Sequence, residues 1–321
     1  MEYNEKKIDI KENKLLQKNK KLLSILLEDK TTKRNLIWAT DNYKKYGERY
    51  KRNCSICIDL ITGDYGDIIK PRVKKGQKEQ QIRIRDKAEV FSSSWICNTQ
   101  NNLVDDEWFG YKGAFNTEIN KGWKTSNEKV RFPIDENKTW KEYVILNRLE
   151  VACGEAPYLT SRYDVVSGKY IEVKDRIGFL DRKLRVVNEN IDSEEEWIKW
   201  SMEAVKSIYG YDWQGDNVLL ARQNILYTVI EFYKYKFNKL LGVDLLMEYA
   251  KIISWNIWQM DGITMTVPFI KTKPKSTQIS FFSMLGEEKN HNEVKQEPIF
   301  CKIKDWKSGR VVTFKSIVKG G

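Results

Sequence analysis

The chain has 321 residues, of which 41% are hydrophobic and 31% charged, the balance of a soluble globular protein with one large domain or two ordinary ones. It has no apolar run of about 18 residues or more, and its opening MEYNEKKIDIKENK has no apolar core, so neither a membrane span nor a signal peptide is expected. Lys and Arg number 56 against 45 Asp and Glu, a net charge of +11, which fits either general solubility or attraction to a polyanion.

Residues 1–50 read as an amphipathic, Lys-rich helical start, with Leu15, Leu16, Leu22, Leu23, Leu26 and Leu27 near helical spacing. Cys54 and Cys57 form a C-S-I-C pair, but Cys97, Cys153 and Cys301 add no second pair and His291 is the single histidine. A structural zinc site needs about four ligands, so none is expected. The odd cysteine count fits reduced thiols in the cytoplasm. One histidine also argues against histidine-based acid–base catalysis.

Over residues 55–90 the segments ICIDLITG, DYGD and IIKPRV suit strands joined in a hairpin. Lys70, Arg72, Lys74, Lys75, Lys78, Arg83 and Arg85 follow; a solvated loop is the default for such a run, a phosphate-contacting loop the alternative. Residues 143–153 read as a strand running into a tight turn, and residues 194–207 as a helix with Trp197, Trp200 and Val205 on its apolar side. A longer helix is expected over 216–241, a short one over 243–251 and a strand over 252–258. Residues 271–299 are polar and poorly patterned, a linker. Two strands, IFCKIKDW and VVTFKSIV, close the chain as a hairpin.

Three segments carry chemistry. In Glu150-Val-Ala-Cys-Gly-Glu-Ala-Pro-Tyr-Leu159 a strand ends and the backbone turns past small residues, with Gly154 supplying room and dihedral freedom for a ligand to approach the main chain. In Ile208-Tyr-Gly-Tyr-Asp-Trp213 the strand ends on Asp212, an acid placed to accept a pair of ribose hydroxyls. Asn256-Ile-Trp-Gln-Met-Asp-Gly262 is a third strand end, carrying Asp261 and Gly262. A different pattern, Asp164 followed by Glu172-Val-Lys174, has the look of a Mg²⁺-binding nuclease site or of a polar hairpin.

The three segments, with Ala88-Glu-Val-Phe-Ser-Ser93 before them, resemble the motifs of DNA adenine-N6 methyltransferases, in that family's order. RDKAEVFSSSWICNTQNNLVDDEWFG, DRIGFLDRKLRVVNEN and IISWNIWQMDG resemble the modification subunits of bacterial restriction–modification systems, a likeness extending from about residue 35 to 320. Ala221-Arg222, nine residues after Asp212, has the family's spacing. Ala156 and Pro157 depart from the first motif, and in the Ala88–Ser93 segment, which resembles a separate Phe-Thr-Pro motif, Ser92 and Ser93 stand for Thr-Pro.

The resemblance implies S-adenosylmethionine as cofactor and DNA as partner. It implies cofactor contacts from Phe91, Ser92, Glu150, Ala152, Cys153, Gly154, Asp212, Trp213, Asp261 and Gly262, with Trp213 packing on the adenine ring and Asp261 accepting its amino group. It implies an α/β fold with a Rossmann-like sheet. The regions expected are an N-terminal α+β part with the basic loop (1–140), the cofactor domain (141–270), the linker (271–299) and the hairpin (300–321).

The family holds its target base with an Asn/Asp-Pro-Pro-aromatic loop. Pro71, Pro133, Pro157, Pro268, Pro274 and Pro298 are the prolines here and none adjoins another, so no catalytic residue is assigned. Of the family's strand order 3-2-1-4-5-7-6, only strands 1, 2 and 3 can be placed. Strand 1, central in the full sheet, then becomes a hydrophobic edge, to be covered by a second methyltransferase or restriction subunit or by the C-terminal hairpin. Two functions follow from the resemblance: a cofactor-binding subunit whose partner supplies the catalytic loop, or an inactive DNA- or protein-binding module. The nuclease is a third.

Overall fold

The computed structural model describes residues 12–87, 91–134, 137–271 and 297–318. It opens with α1 (Glu12–Lys18) and α2 (Lys20–Leu27), the latter capped by the Asn19 side chain, which accepts the Lys21 N–H at 2.7 Å. Leu15, Leu22, Leu23, Leu26 and Leu27 are buried, as their helical spacing predicts. A ribbon of β1 (Glu28–Asp29) and β2 (Arg34–Asn35) follows.

The hairpin expected over 55–90 does not form. Short 3-10 turns at Ile58–Leu60, Gly63–Tyr65 and Arg72–Lys74 lead into α3 (Gln77–Lys87). The Asn13 side chain fixes the middle turn, bonding both the N–H and the carbonyl of Gly63 at 2.7 and 3.1 Å. Helix α3 left no apolar period to read because, among its described side chains, the one it buries is a cation: Arg83, 1% exposed, faces Asp216. Lys75 is buried beside it, so the basic run is not simply a solvated loop. Next come α4 (Ser94–Phe109), the hairpin of β3 (Asn116–Ile119) and β4 (Gly122–Thr125), and α5 (Trp140–Ile145), which occupies the start of an expected strand.

The centre is a parallel sheet. β5 (Arg148–Glu150) is followed by α6 (Phe179–Asn190) and α7 (Glu194–Lys206), then β6 (Ile208–Asp212), α8 (Gly215–Phe237), α9 (Val243–Asn256) and β7 (Ile257–Gln259). The strand order is β5-β6-β7, with Glu150 opposite Gly210 and Asp212 opposite Gln259. Alternating strand–helix sequence thus gives parallel pairing through helical crossovers.

Helix α7 has the predicted bounds within a residue, with Glu194, Glu195 and Glu196 in its first turn and Lys206 in its last, matching the helix dipole. Every residue of α8 from Gly215 to Tyr233 is buried, the environment of a helix with no wet face. The strand expected over 252–258 is mostly the end of α9. Leu246, Tyr249, Ala250 and Ile253 keep a helical period and are buried, and that packing outweighs the β preference of the Ile pair.

After β7 come β8 (Thr266–Lys271) and β9 (Pro298–Phe300), antiparallel, then the hairpin of β10 (Lys302–Lys304) and β11 (Val311–Thr313). The second expected closing strand runs into α10 (Phe314–Val318). Residues 272–296, most of the expected linker, lie outside the described residues; its first residue, Lys271, pairs with Pro298, and Pro298 and Ile299 at its other end belong to β9.

Side-chain alternation divides the sheet's two faces. Ile208 and Ile257 join a cluster running from Leu15 to Ile257, so residues on both sides of position 140 share one core. Tyr211 and Trp258 point the other way, into a small cluster with Cys301, Ile303 and Phe314. The C-terminal hairpin therefore covers the face of β6 and β7 and pairs with no residue of β5. Among the described residues β5 is an edge strand, with Leu149 47% exposed and Val151, just past its end, 62% exposed. Among the described residues no helix is long and apolar enough to cross a membrane.

Candidate functional site

The chain leaves β5 at Glu150 and takes three left-handed residues at alternate positions: Ala152 (φ 50°), Gly154 (φ 53°) and Ala156 (φ 63°). L-alanine adopts this conformation at a cost of about 1–2 kcal/mol per residue, so the surroundings must hold the turn. Cys153 N–H donates to the Tyr211 carbonyl at 2.8 Å and Ala156 N–H to the Cys153 carbonyl at 2.7 Å. Gly154 N–H donates to Asp212 Oδ2 at 3.0 Å. The Glu150 carboxylate accepts Tyr158 and Leu159 N–H at 3.4 and 3.2 Å. The turn is thereby fastened to β6 on one side and to its own starting acid on the other.

Glycine is required at 154 for a second reason. A Cβ there would lie 2.9 Å from Cε1 of Phe91, besides needing a positive φ. The Phe91 ring stands against the turn from the preceding segment, with the Arg72 guanidinium 5.3 Å from its centroid.

Asp212 ends β6. Its Oδ1 accepts Gln214 N–H at 2.8 Å and the Asn217 side-chain amide at 3.4 Å. Four residues after Asp212, in the first turn of α8, Asp216 is fully buried and accepts from Tyr43 Oη at 2.6 Å, Arg83 at 3.0 Å and Lys75 at 3.4 Å. Arg83 also donates to Asn217 Oδ1 at 3.2 Å. The cations of the 70–87 segment thus brace the start of α8, and Asn217 links that brace to Asp212. They hold the Asp216 carboxyl down at about 2 against its burial.

These elements enclose a pocket of about 680 Å³, within the size range of small-molecule and cofactor sites. Phe91, Ser92, Glu150, Ala152, Cys153, Gly154, Asp212 and Trp213 all line it. It lies at the carboxyl ends of adjacent parallel strands, beside the start of α8, where open α/β sheets bind ligands. Two carboxylates face it. Burial pushes the Glu150 acid well above the usual carboxylate range, opposed by its two backbone hydrogen bonds, and the nearby Asp212 pushes it the same way.

Asp261 and Gly262 are not among the lining residues. Asp261 instead closes a turn: its Oδ1 accepts Ile263 and Thr264 N–H at 2.9 and 3.2 Å, and its N–H donates to the Thr266 carbonyl. Gly262 packs against the ring of Tyr211, 3.1 Å from where a Cβ would stand. The third segment therefore serves the face that carries the C-terminal hairpin. Ala88, Glu89 and Val90 lie outside the described residues.

The pocket also takes Tyr158, Phe179, Gln214 and Asn217. Gln214 and Asn217 were within reach of sequence reasoning, since the turn from a strand-end acid into a helix places the next few residues over the same site. Phe179 carried no such signal; it arrives from α6, remote in the chain.

Arg222 and Asn256, singled out beside the motifs, are structural. The buried Arg222 guanidinium donates to the carbonyls of Leu26, Glu28, Ser254 and Ile257 at 2.6–3.0 Å. The Asn256 amide donates to Val205, Lys206 and Ile208 carbonyls and accepts from the Trp306 indole. In the nuclease-like pattern, Asp164 accepts three backbone N–H groups, from Ser94, Val166 and Ser167, at 2.6–3.1 Å. Glu172 and Lys174 line a separate concavity. Among the described residues no three acids, cysteines or histidines are grouped to hold a metal.

No family model, curated protein or solved structure matches this chain.

Proposed function

We propose that this chain is the S-adenosylmethionine-binding subunit of a DNA adenine-N6 methyltransferase of the restriction–modification type, its Rossmann-like sheet and catalytic loop completed by a second polypeptide. One observation carries the reading. The turn after β5 and the acid ending β6, which the motif resemblance assigns to one cofactor, meet through the Gly154–Asp212 hydrogen bond on the wall of one pocket. The residues fit the group: small residues floor the pocket, acids stand at both strand ends, and aromatic Phe91 and Trp213 flank them. Glu150 and Asp212 would bind its hydroxyls and positive charge, and Trp213 its adenine ring. The bound cofactor would supply the methyl group.

The β5 edge, with Leu149 exposed and Val151 exposed just past it, is where a completing partner would pair. The alternative is an inactive DNA- or protein-binding module. It is favoured by one detail: the Gly154 N–H, a natural ligand donor, is already taken by Asp212.

The chain by itself is expected not to methylate DNA. Transfer needs an extruded base held at attack distance from the methyl group, and no pair of adjacent prolines exists to build the family's clamp. The assay is labelled methyl transfer to DNA with and without a partner bearing that loop. Activity only with the partner supports the proposal; robust transfer by the chain alone contradicts it.

Cofactor affinity is expected to rise with pH. Burial keeps the Glu150 proton on at pH values where a free carboxyl has lost it. A positively charged ligand favours the ionised acid, so binding expels that proton. Raising the pH removes the competition until the free chain's Glu150 is itself ionised. Titrations run upward from the free carboxyl value of about 4.3 should show this slope, and Glu150→Gln should abolish it. A flat wild-type profile would count against the role.

A further inference from the structure

On the rim formed by β8 and the 41–53 segment, Phe269 is held in an unusual state. Pro268 precedes it and has no N–H to give to a strand ladder. The β8–β9 register breaks between Thr266 and Lys271. Phe269 itself sits at φ 57°, in the left-handed region that bulky residues avoid. This strained backbone presents a ring that is 49% exposed instead of burying it. The Trp213 ring meets it edge-on at 5.4 Å, and the Arg52 guanidinium lies 5.8 Å from its centroid.

The ring borders a concavity of about 740 Å³ whose other walls are Asp41, Lys44, Lys51, Arg52 and Asn53. Three cations thus stand against one acid. The Arg52–Asp41 pair is 3.6 Å long and exposed, and Lys51 pairs with Glu48 in the open; such pairs are weak and readily exchanged for other anions. Strain kept where it exposes an aromatic side chain points to use of that side chain. A flat ring beside a cationic groove is the arrangement that takes a nucleobase and its flanking phosphates.

We propose that this surface binds single-stranded nucleic acid, an unpaired base stacking on Phe269 while Lys44, Lys51 and Arg52 take the adjacent phosphates. It shares no lining residue with the cofactor pocket and does not rest on the methyltransferase reading.

The test is fluorescence anisotropy of the full chain with a labelled oligothymidine of about twelve nucleotides, within the usual site size of such grooves, its oligouridine counterpart, and a duplex of the same length. Single strands should bind more tightly than the duplex, and the DNA and RNA arms identify the sugar preferred. Phe269→Gly should weaken single-strand binding roughly ten-fold while the thermal midpoint holds or rises, because glycine accepts this φ. Phe269→Tyr should restore binding. Lys44→Ala should weaken it and flatten the salt dependence by about 0.7 of a log–log unit, one phosphate contact.

The proposal is overturned if the chain binds neither strand at low salt, if duplex binds as well as single strand, or if Phe269→Gly leaves affinity unchanged. It is equally overturned if polyglutamate of equal charge competes as well as the oligonucleotide. S-adenosylmethionine binding by the same samples separates the two readings. Strand binding without cofactor binding tells against the proposed function alone, and cofactor binding without strand binding tells against this surface alone.

Discussion

Replacing Asp216 with alanine is expected to cost about 3–5 kcal/mol of folding stability, the range for breaking a buried ion pair from one side. Asp216 is fully buried, and the substitution would remove the carboxylate that Lys75 and Arg83, themselves buried, share. It would also remove the acceptor of the Tyr43 hydroxyl. A urea denaturation series reads the loss as a lower midpoint; a change below about 1 kcal/mol, the scale of a surface pair, would show that the cluster does not hold the segments together. The pH dependence has a definite sign. The folded carboxyl is depressed to about 2, so its contribution is full above the unfolded value of about 3.9 and is lost as pH falls through the folded one. Acid should loosen the brace before it disturbs the apolar core around α8.

Gly154→Ala is expected to lower S-adenosylmethionine affinity at least ten-fold and stability by about 1–3 kcal/mol. Part of the cost is conformational, since alanine at φ 53° loses about 1–2 kcal/mol. The rest is steric: the new methyl would stand 2.9 Å from the Phe91 ring, pushing that ring or the turn into the pocket. Adding Phe91→Ala separates the two. It should recover the steric share of stability and leave the dihedral share. Calorimetric titration and thermal midpoints of both variants check this. Full affinity in Gly154→Ala would place the ligand elsewhere.

Much of the pocket was legible because its chemistry is local. A strand, an acid and a turn of small residues lie within Glu150–Ala156, and Asp212 ends a strand of clear pattern. Asp261 misled for the same reason: it also follows a strand end, yet its carboxylate closes its own turn. What a short motif cannot convey is direction, and β7 hands its successor to the opposite face of the sheet. Helix α3 was illegible because it buries a charge, and apolar periodicity does not register a buried arginine. The strand expected over 252–258 failed because Ile252 and Ile253 suit a strand locally while their neighbours keep a helical period across the core. Phe179 reached the pocket through tertiary packing that no spacing announces.

The most direct measurement is equilibrium binding of S-adenosylmethionine to the isolated chain, with Asp212→Ala alongside. The wild-type chain should bind one cofactor. The variant should bind about 1–3 kcal/mol more weakly, the cost of leaving polar groups unpaired, or roughly 5- to 150-fold, with its thermal midpoint recorded to register the lost Gly154 contact. No binding by the wild-type chain, or equal binding by a folded Asp212→Ala variant, would contradict the assignment of this pocket to the cofactor.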